Sequence, residues 1–233
     1  MAQSKIDLKR EQQASMARPR YGYSWAARFF FLSMDLVTGR KATLAKAKLL
    51  EILAGIPYRE WEANQYGLMT RSYRNPALVE QARRFVRWSR EAQDNEYWHL
   101  LVVAEKMKAE KFADPWYLIV PIPWLMVWSY VLMARLLAMF NLRRAILFNA
   151  EFEDHAEHEY AQLVAEHPAW ETQSADEAWV TEYSKVKAWA DVFRRIGLDE
   201  RDHRNQSFAY CGKMDQVIRY EGMPELALPT SAG

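Results

Sequence analysis

Apolar residues recur every three to four positions along most of the chain, the spacing that buries one face of a helix. This pattern predicts five helices, over residues 21–34, 42–68, 77–111, 142–167 and 178–210. Pro57 is expected to kink the second helix or to end a turn in it, and Asn75-Pro76 suits the start of the third. The first helix is expected to lie on the surface. The chain is therefore predicted to be all-α.

A run of nineteen residues without a charged side chain, 116–134, lies between the third and fourth of these helices. Its length would span a bilayer, but Pro121 and Pro123 interrupt its first third. We expect it to lie in a membrane interface, with its aromatic rings at headgroup depth and three basic residues reaching phosphates, Arg135, Arg143 and Arg144. A buried core helix explains the run equally well by itself. The aromatic segment 21–34 favours the membrane.

Half of the 233 residues are hydrophobic, enough for one well-buried domain, which we place at residues 21–211. Residues 1–20 are a polar extension without the apolar centre of a signal peptide, and 212–233 are expected to be a peripheral tail. The 31 basic residues nearly balance the 30 acidic ones, so nucleic acid is not an expected partner. Cys211 is the only cysteine, which excludes an internal disulfide and a cysteine-based metal site and fits a reducing compartment.

Two copies of a Glu-x-x-His motif, Glu96 to His99 and Glu200 to His203, stand inside predicted helices. Residues three apart lie about 60° apart around a helix and about 4.5 Å apart along it, so both side chains can reach one metal ion. Glu51 stands 45 residues before Glu96, and Glu153 stands 47 before Glu200, which suggests an internal duplication. One Glu from each of two helices and Glu-x-x-His from two others is the ligand set of ferritin-like four-helix bundles with a di-iron core.

The proposed ligands are oxygen-rich, with two imidazoles, and such sets suit iron or manganese with open positions for O2. We predict two iron ions bridged by Glu96 and Glu200, with Glu51 and Glu153 as terminal or semi-bridging ligands. Asn95 and Asp199 each precede a bridging glutamate and are expected to orient the ligands by hydrogen bonding.

Two alternatives compete with this interpretation. A single Glu-x-x-His occurs by chance on many solvated helix faces. His155 and His158 are three residues apart, with Glu151 and Glu159 nearby, so a helical zinc site is conceivable there. For three members of this acidic stretch we expect a solvated face instead, namely Asp154, Glu157 and His158. His167 is expected to end its helix.

At these residues the chain resembles the alternative oxidases, membrane-bound di-iron quinol oxidases. Residues 50–57, LEILAGIP, are similar to the family's Leu-Glu-Thr-Val-Ala-x-Val-Pro segment, and residues 95–100, NEYWHL, to Asn-Glu-Arg-Met-His-Leu. Residues 199–203, DERDH, match Asp-Glu-x-x-His, and the apolar run 116–134 falls where the family has a membrane-associated helix. The resemblance covers residues 25–205 and implies a ferritin-like bundle with two interfacial helices.

The chain differs most from the family at the remaining motif, where residues 152–156 read FEDHA and the family has Leu-Glu-Glu-Glu-Ala. Aligning Ala156 makes Glu153 the ligand, and Tyr160 is then implied to be the catalytic tyrosine beside the iron pair. Four residues are implied to line the substrate pocket, namely Lys46, Leu50, Phe152 and His155. Lys46 replaces an arginine of the family and His155 replaces a glutamate, which makes the substrate itself an open question.

The resemblance implies a quinol oxidase that reduces O2 to water without pumping protons. Its partners would be ubiquinol or a similar quinol, O2 and membrane lipid, with a homodimer as a further option. We expect a monotopic protein at the cytoplasmic face of a bacterial inner membrane, ahead of a mitochondrial or plastid inner membrane. Two alternatives stay open: a di-iron hydroxylase, epoxidase or desaturase acting on a lipophilic substrate, and a non-catalytic or iron-storage helical bundle.

Overall fold

The computed structural model describes residues 6–227, and within this range the protein is all-helical, as predicted. Seven α-helices follow one another: α1 Leu8–Ala17, α2 Trp25–Thr38, α3 Leu44–Arg71, α4 Pro76–Ala109, α5 Ile122–Glu166, α6 Ala178–Tyr183 and α7 Trp189–Tyr210. No β-strand occurs among the described residues; Ser174 and Ala188 form one isolated antiparallel bridge.

The predicted helices over 42–68 and 77–111 correspond to α3 and α4. Thr43 caps α3 by accepting a hydrogen bond from the Lys46 backbone, and Asn75 caps α4 in the same way. The helix α3 continues through Pro57, so this proline does not end it. The two helices pack against each other along most of their length.

The prediction of one long helix over 178–210 is wrong, because α6 ends at Tyr183 and α7 begins at Trp189. Residues 184–188 are drawn away from the helix by the segment before α6. The Ala175 N–H donates to the Lys187 carbonyl at 2.9 Å, and the Trp189 N–H donates to the Gln173 carbonyl at 3.0 Å. These bonds join residues distant in sequence, so helical periodicity does not reveal them.

The predicted separation of the apolar run from the helix over 142–167 is confirmed, because the backbone of α5 breaks at Asn141 and divides it into two helical parts. Pro123 stands in the first turn of α5, where its missing N–H removes no helical hydrogen bond. Pro121 separates the first residues of the run from α5, as predicted, and the break inside α5 lies at Asn141, whose backbone leaves helical geometry with φ −160° and ψ 90°. Its side-chain oxygen accepts from the Arg144 N–H at 3.0 Å, which restarts the helix much as a cap would. His167 follows the last residue of α5, as predicted.

Four long elements surround a common core: α3, α4, residues 142–166 of α5, and α7. Extensive packing joins α3 to α4, α3 to α5, and α5 to α7, whereas α4 and α7 contact each other far less. The helix α1 lies on α5 and α7, and α2 lies on α5. Three sides of the arrangement are therefore closed by packing, and the α4–α7 side is the loosest.

One surface is unusually apolar. The helix α5 contains a window long and apolar enough to cross a membrane, and little of that window is buried. Large hydrophobic side chains are exposed there and on α2: Trp25, Phe29, Leu32, Leu36, Trp116, Trp124, Leu125, Trp128, Leu132, Met139 and Phe140. An exposed apolar area of this extent is typical of a surface that contacts lipid or another protein.

Candidate metal centre

Six side chains from the four long elements converge in the core, which is where the sequence predicted a ligand set. They form two overlapping groups, each with its donor atoms within 4.8 Å of one another. One group contains Glu51, Glu96, His99 and Glu200, and the other contains Glu96, Glu153, Glu200 and His203. Glu96 and Glu200 belong to both groups, and each remaining glutamate belongs to one.

The imidazoles face the shared carboxylates through the same ring atom. His99 Nδ1 lies 2.9 Å from Glu200 Oε1 and 3.5 Å from Glu96 Oε2. His203 Nδ1 lies 2.9 Å from Glu96 Oε1 and 3.9 Å from Glu200 Oε2. Each shared carboxylate therefore lies within 4 Å of the inner nitrogen of both imidazoles.

Most of the inward-facing atoms of this cluster are buried without a hydrogen-bond partner. They are Glu51 Oε2, both carboxylate oxygens of Glu96 and of Glu200, Glu153 Oε2, and the Nδ1 atoms of His99 and His203. Leaving buried polar atoms unsatisfied costs about 1–3 kcal/mol each, so a group this large is costly unless something binds it. Carboxylate oxygens with imidazole nitrogens are suitable ligands for divalent transition metals. The cluster could thus hold metal ions.

Burial and crowding set the protonation of the cluster. Burial, followed by the charge of Glu200, raises the pKa of Glu51 well above its usual value, and burial with the charge of Glu96 does the same for Glu153. Burial also acts to raise the pKa of Glu96, but the two imidazoles beside it outweigh burial and hold that pKa well below its usual range. The carboxyl groups of Glu51 and Glu153 therefore resist ionisation until a cation is present.

The pKa values of the two histidines are raised, whereas the pKa of a buried imidazole without partners would be lowered. Burial acts to lower the pKa of His99 and His203, yet neighbouring acidic groups raise both pKa values well above the usual value. Protons on the imidazoles thus offset carboxylate charge in the metal-free protein. Metal binding would displace these protons, because an imidazole must be neutral to act as a ligand.

Asp199 lies where it can orient a ligand. His99 Nε2 is 3.4 Å from Asp199 Oδ2, and the Tyr183 hydroxyl donates to the same oxygen at 2.6 Å. Although burial acts to raise it, the pKa of Asp199 is held well below its usual range by His99 and Arg195. With Nε2 as the donor, Nδ1 of His99 is left as the atom that faces the cluster.

Asn95, predicted to act in the same way, is placed differently. Its side chain lines a cleft between α4 and α7, and within residues 6–227 it forms no hydrogen bond to the cluster. The two positions that precede the shared glutamates are therefore not equivalent.

Tyr160 reaches the cluster, as the resemblance implied. Its buried hydroxyl forms a short hydrogen bond to Glu51 Oε1, and burial together with the charge of Glu51 raises its pKa well above the usual value. The ring lies against α7 at Gly197, where an added Cβ would be only 3.3 Å from the Tyr160 Cβ. A larger residue at 197 would therefore push α7 away from this tyrosine.

Two further residues contact the cluster that sequence reasoning missed. The Tyr58 hydroxyl donates to Glu153 Oε1 at 2.7 Å, and Asn149 Nδ2 donates to the same oxygen at 2.9 Å. Tyr58 follows Glu51 by seven residues, and Tyr160 follows Glu153 by seven. The spacing of the duplication could have revealed Tyr58 as the counterpart of Tyr160.

The predicted substrate residues divide into two pairs. Lys46 and Leu50 line a small crevice that ends at Tyr160 and has space for about one water molecule. Lys46 is buried, and its Nζ lies 2.8 Å from Asp35 Oδ1 and 3.1 Å from Glu159 Oε2.

The other pair packs beneath α2 and does not line this crevice. The ring of His155 stacks on Phe31 with centroids 4.1 Å apart, and Phe152 lies 5.9 Å from Phe30. Burial, followed by the charges of Arg20 and Lys46, lowers the pKa of His155 well below its usual value.

The expected solvated face at Asp154, Glu157 and His158 is wrong, because all three are buried. The helix α1 and the residues after it cover this face, and they supply its partners together with α7. Glu157 accepts from Arg18 Nη2 at 2.6 Å and from Arg201 Nε at 2.8 Å, and Asp154 accepts from Arg204 Nε at 2.7 Å.

The alternative of a zinc site in this stretch also finds no support. Nδ1 of His155 lies 2.5 Å from the guanidinium of Arg20, and both ring nitrogens of His158 lie within hydrogen-bonding distance of backbone carbonyls. In the part of the chain that the structure describes, the metal-compatible groups are the two that share Glu96 and Glu200.

No protein-family model and no curated protein matches the chain.

Proposed function

We propose that this protein is a membrane-associated quinol oxidase of the alternative oxidase type, with two iron ions in a ferritin-like four-helix bundle. The observation that carries the proposal is the pair of overlapping ligand groups with Glu96 and Glu200 in common. A single-ion site would not need six ligands of this kind from four helices, whereas a bridged pair would.

The donor set fits iron. Glu51 and His99 would be ligands of one ion, and Glu153 and His203 would be ligands of the other. The shared residues Glu96 and Glu200 would serve both. With iron bound, the centre would supply the one-electron redox chemistry by which two quinols reduce one O2 to water. The buried atoms without partners at this position favour the proposal, because bound cations would satisfy them.

The chain's own residues would hold protons and exclude water. Tyr160 and Tyr58 each keep a phenolic proton hydrogen-bonded to an outer carboxylate, Glu51 and Glu153 respectively. Asp199 fixes the ring of His99. Burial of all six ligands keeps bulk water from the reacting atoms and strengthens the electrostatic interactions among them.

The exposed apolar surface of α2 and α5 supports docking on a membrane interface. Tryptophans are prominent in it, and such side chains favour headgroup depth. A quinol is lipid-soluble, and the crevice that ends at Tyr160 would bring its head group to a residue bonded to the metal cluster. Because the segment would lie in one leaflet, the reaction would not pump protons.

A di-iron oxygenase acting on a lipophilic substrate is the second candidate. The departure at Lys46 favours it, because this buried lysine is already paired with Asp35 and Glu159 and is not free to bind a quinol head group. A quinol head group would have to displace these contacts before it reached the tyrosine.

Oxygen uptake by iron-loaded protein in detergent, with a short-chain quinol and with cyanide present, separates the candidates. We expect uptake of one O2 per two quinols, its loss in Glu96→Ala, and its retention in Glu91→Ala, which changes an exposed glutamate of the same helix. No uptake at two irons per chain would reject the oxidase. A product that carries label from O2 would establish the oxygenase.

A further inference from the structure

The loosely packed side of the bundle, between α4 and α7, contains a cleft of about 600 Å³. Helix α4 supplies one wall, including Trp88, Ala92 and Asn95. Helix α7 supplies the opposite wall, including Arg195, Asp199, Asp202 and His203. The cleft therefore reaches a predicted metal ligand from the side opposite the α3–α5 crevice.

His203 is the most accessible of the six predicted ligands. Its exposed fraction is 6%, compared with 0% for His99 and at most 4% for the four glutamates. The Nδ1 atom of His203 is buried without a hydrogen-bond partner and lies 2.9 Å from Glu96 Oε1, so this side chain connects the cleft to the cluster.

Acidic side chains stand on the wall beside His203. Asp202 accepts from the Tyr220 hydroxyl at both of its oxygens, at 2.9 and 2.8 Å, and lies 3.6 Å from Arg195. Asp199 is bonded to the same arginine and to His99. A cation that moved along this wall would exchange water for carboxylate oxygen before it met an imidazole.

The outer margin of the cleft is formed by the chain after α7. Residues 224–227 line it, and two hydrogen bonds to one side chain hold this segment in place. Gln206 Nε2 donates to the Ala227 carbonyl at 2.7 Å, and the Ala227 N–H donates to Gln206 Oε1 at 2.8 Å. Such a margin can open by breaking two bonds without disturbing a helix.

Two other approaches to the cluster are narrow or covered. The crevice at Tyr160 has space for about one water molecule, and α2 covers the α3–α5 side. Helix α1 covers α5 and α7, where buried ion pairs fix it. As it stands, the crevice is too small for a hydrated divalent cation, whereas the α4–α7 cleft has room for one.

We propose that divalent metal ions reach and leave the centre through the α4–α7 cleft, with Asp202 offering the cation a carboxylate oxygen and residues 224–227 acting as the movable margin. This inference rests on the metal centre of the proposed function. It gives the two sides of the bundle separate roles, one for the lipophilic substrate and one for the aqueous metal ion.

Cobalt(II) in place of iron tests the route without any activity measurement, because its bound form is followed by visible absorption. Equilibrium titration of wild-type protein gives the number of ions per chain, for which we expect two. Rapid mixing then gives the rate of uptake, and transfer to excess chelator gives the rate of loss. Circular dichroism of each variant verifies that the helices remain folded.

Gln206→Ala removes both bonds that hold residues 224–227. We expect uptake and loss to accelerate together by about tenfold, the change that two net hydrogen bonds would cause, at unchanged stoichiometry. Asp202→Asn keeps the shape of the wall and removes a carboxylate that a passing cation could bind, so uptake should slow by about threefold. The control is Gln93→Ala, a half-buried glutamine in the groove between α3 and α4, which should match wild type.

Three outcomes would contradict the route while leaving the metal centre intact. Rates unchanged in both cleft variants would show that ions pass elsewhere. Equal acceleration in Gln93→Ala would show general loosening of the bundle. Altered stoichiometry in Gln206→Ala with unchanged rates would show a role in binding alone. A wild-type stoichiometry below two would instead reject the proposed centre itself.

Discussion

The two ends of the cluster use the same residue types but have different surroundings. At one end His99 is fully buried, bonded to Asp199 and packed edge-on against Tyr183 with ring centroids 5.6 Å apart. At the other end His203 faces the α4–α7 cleft. The short helix α6, which carries Tyr183, closes the first end, whereas residues 224–227 form the outer margin of the cleft at the second. The two halves of the cluster thus have the same residue types but different surroundings.

The tyrosines, in contrast, have equivalent surroundings in the two halves of the cluster. Tyr58 of α3 bonds Glu153 of α5, and Tyr160 of α5 bonds Glu51 of α3. Each phenol therefore crosses to the glutamate of the other half. The symmetric part of the site lies between α3 and α5, and the asymmetric part lies between α4 and α7.

Removing a shared ligand should have the largest effect, because it affects both halves at once. Glu96→Ala is expected to weaken binding of both ions by about 100-fold or more. Removing a residue that only hydrogen-bonds to a ligand typically costs about 10–100-fold, and removing the ligand itself should cost more. Glu51→Ala should weaken the His99 end alone. Cobalt titration distinguishes the two variants. Equal losses in both would show that Glu96 is not shared.

Glu157→Gln should have the next largest effect and acts on stability. Burial acts to raise the pKa of Glu157, but Arg201 and Arg18 lower it to about 2 from the ordinary 4.5. Ionised Glu157 thus stabilises the fold above pH 4.5, and this contribution is lost as the pH falls from 4.5 towards 2. The variant should lose about 3–5 kcal/mol at pH 7, because it leaves buried arginines with one fewer anion.

Urea unfolding of metal-free protein at several pH values measures this difference. The stability gap between wild type and Glu157→Gln should narrow as the pH falls below 4.5. A gap that stayed constant between pH 7 and pH 3 would show that the buried ion pairs around α1 do not depend on the charge of Glu157.

Asp199→Asn and Asn95→Ala compare the two positions that precede the shared glutamates. Asp199→Asn should weaken metal binding about 10–100-fold, because His99 loses the carboxylate that orients it. Asn95→Ala should bind metal nearly as wild type does, since Asn95 forms no hydrogen bond to the cluster among the described residues. Competition with a chelator of known affinity measures both. Similar losses would mean that the halves are equivalent after all.

The tyrosine variants should give the smallest and most nearly equal effects. Tyr58→Phe is expected to cost about 1 kcal/mol of stability, because Asn149 still donates to the same oxygen of Glu153. Tyr160→Phe leaves Glu51 Oε1 without its phenolic donor and should cost about 1–3 kcal/mol. Thermal unfolding of the metal-free proteins tests the order. A larger loss for Tyr58→Phe would contradict it.

The positions of the six clustered side chains could be predicted because they depend on local geometry. Two Glu-x-x-His motifs inside long helices put four of the side chains on core-facing surfaces, and the spacing of the duplication added Glu51 and Glu153. The all-α class and the positions of α3 and α4 were predicted from the spacing of apolar residues. Tyr58 was missed although the same duplication carried the signal.

What could not be predicted depends on contacts between distant residues. The break before α7 arises from the bonds of residues 173–175 with 187–189, and the burial of Glu157 arises from Arg18, which lies 139 positions away. No periodicity in α5 indicates that α1 will cover its acidic face. The cleft was likewise unpredictable, because α4, α7 and residues 224–227 form it together.

Anomalous diffraction from crystals of the manganese- or iron-loaded protein tests the central claim most directly. The account predicts two metal peaks per chain, one beside Glu51 and His99 and one beside Glu153 and His203, with Glu96 and Glu200 contacting both. A single peak, or peaks outside this cluster, would contradict it.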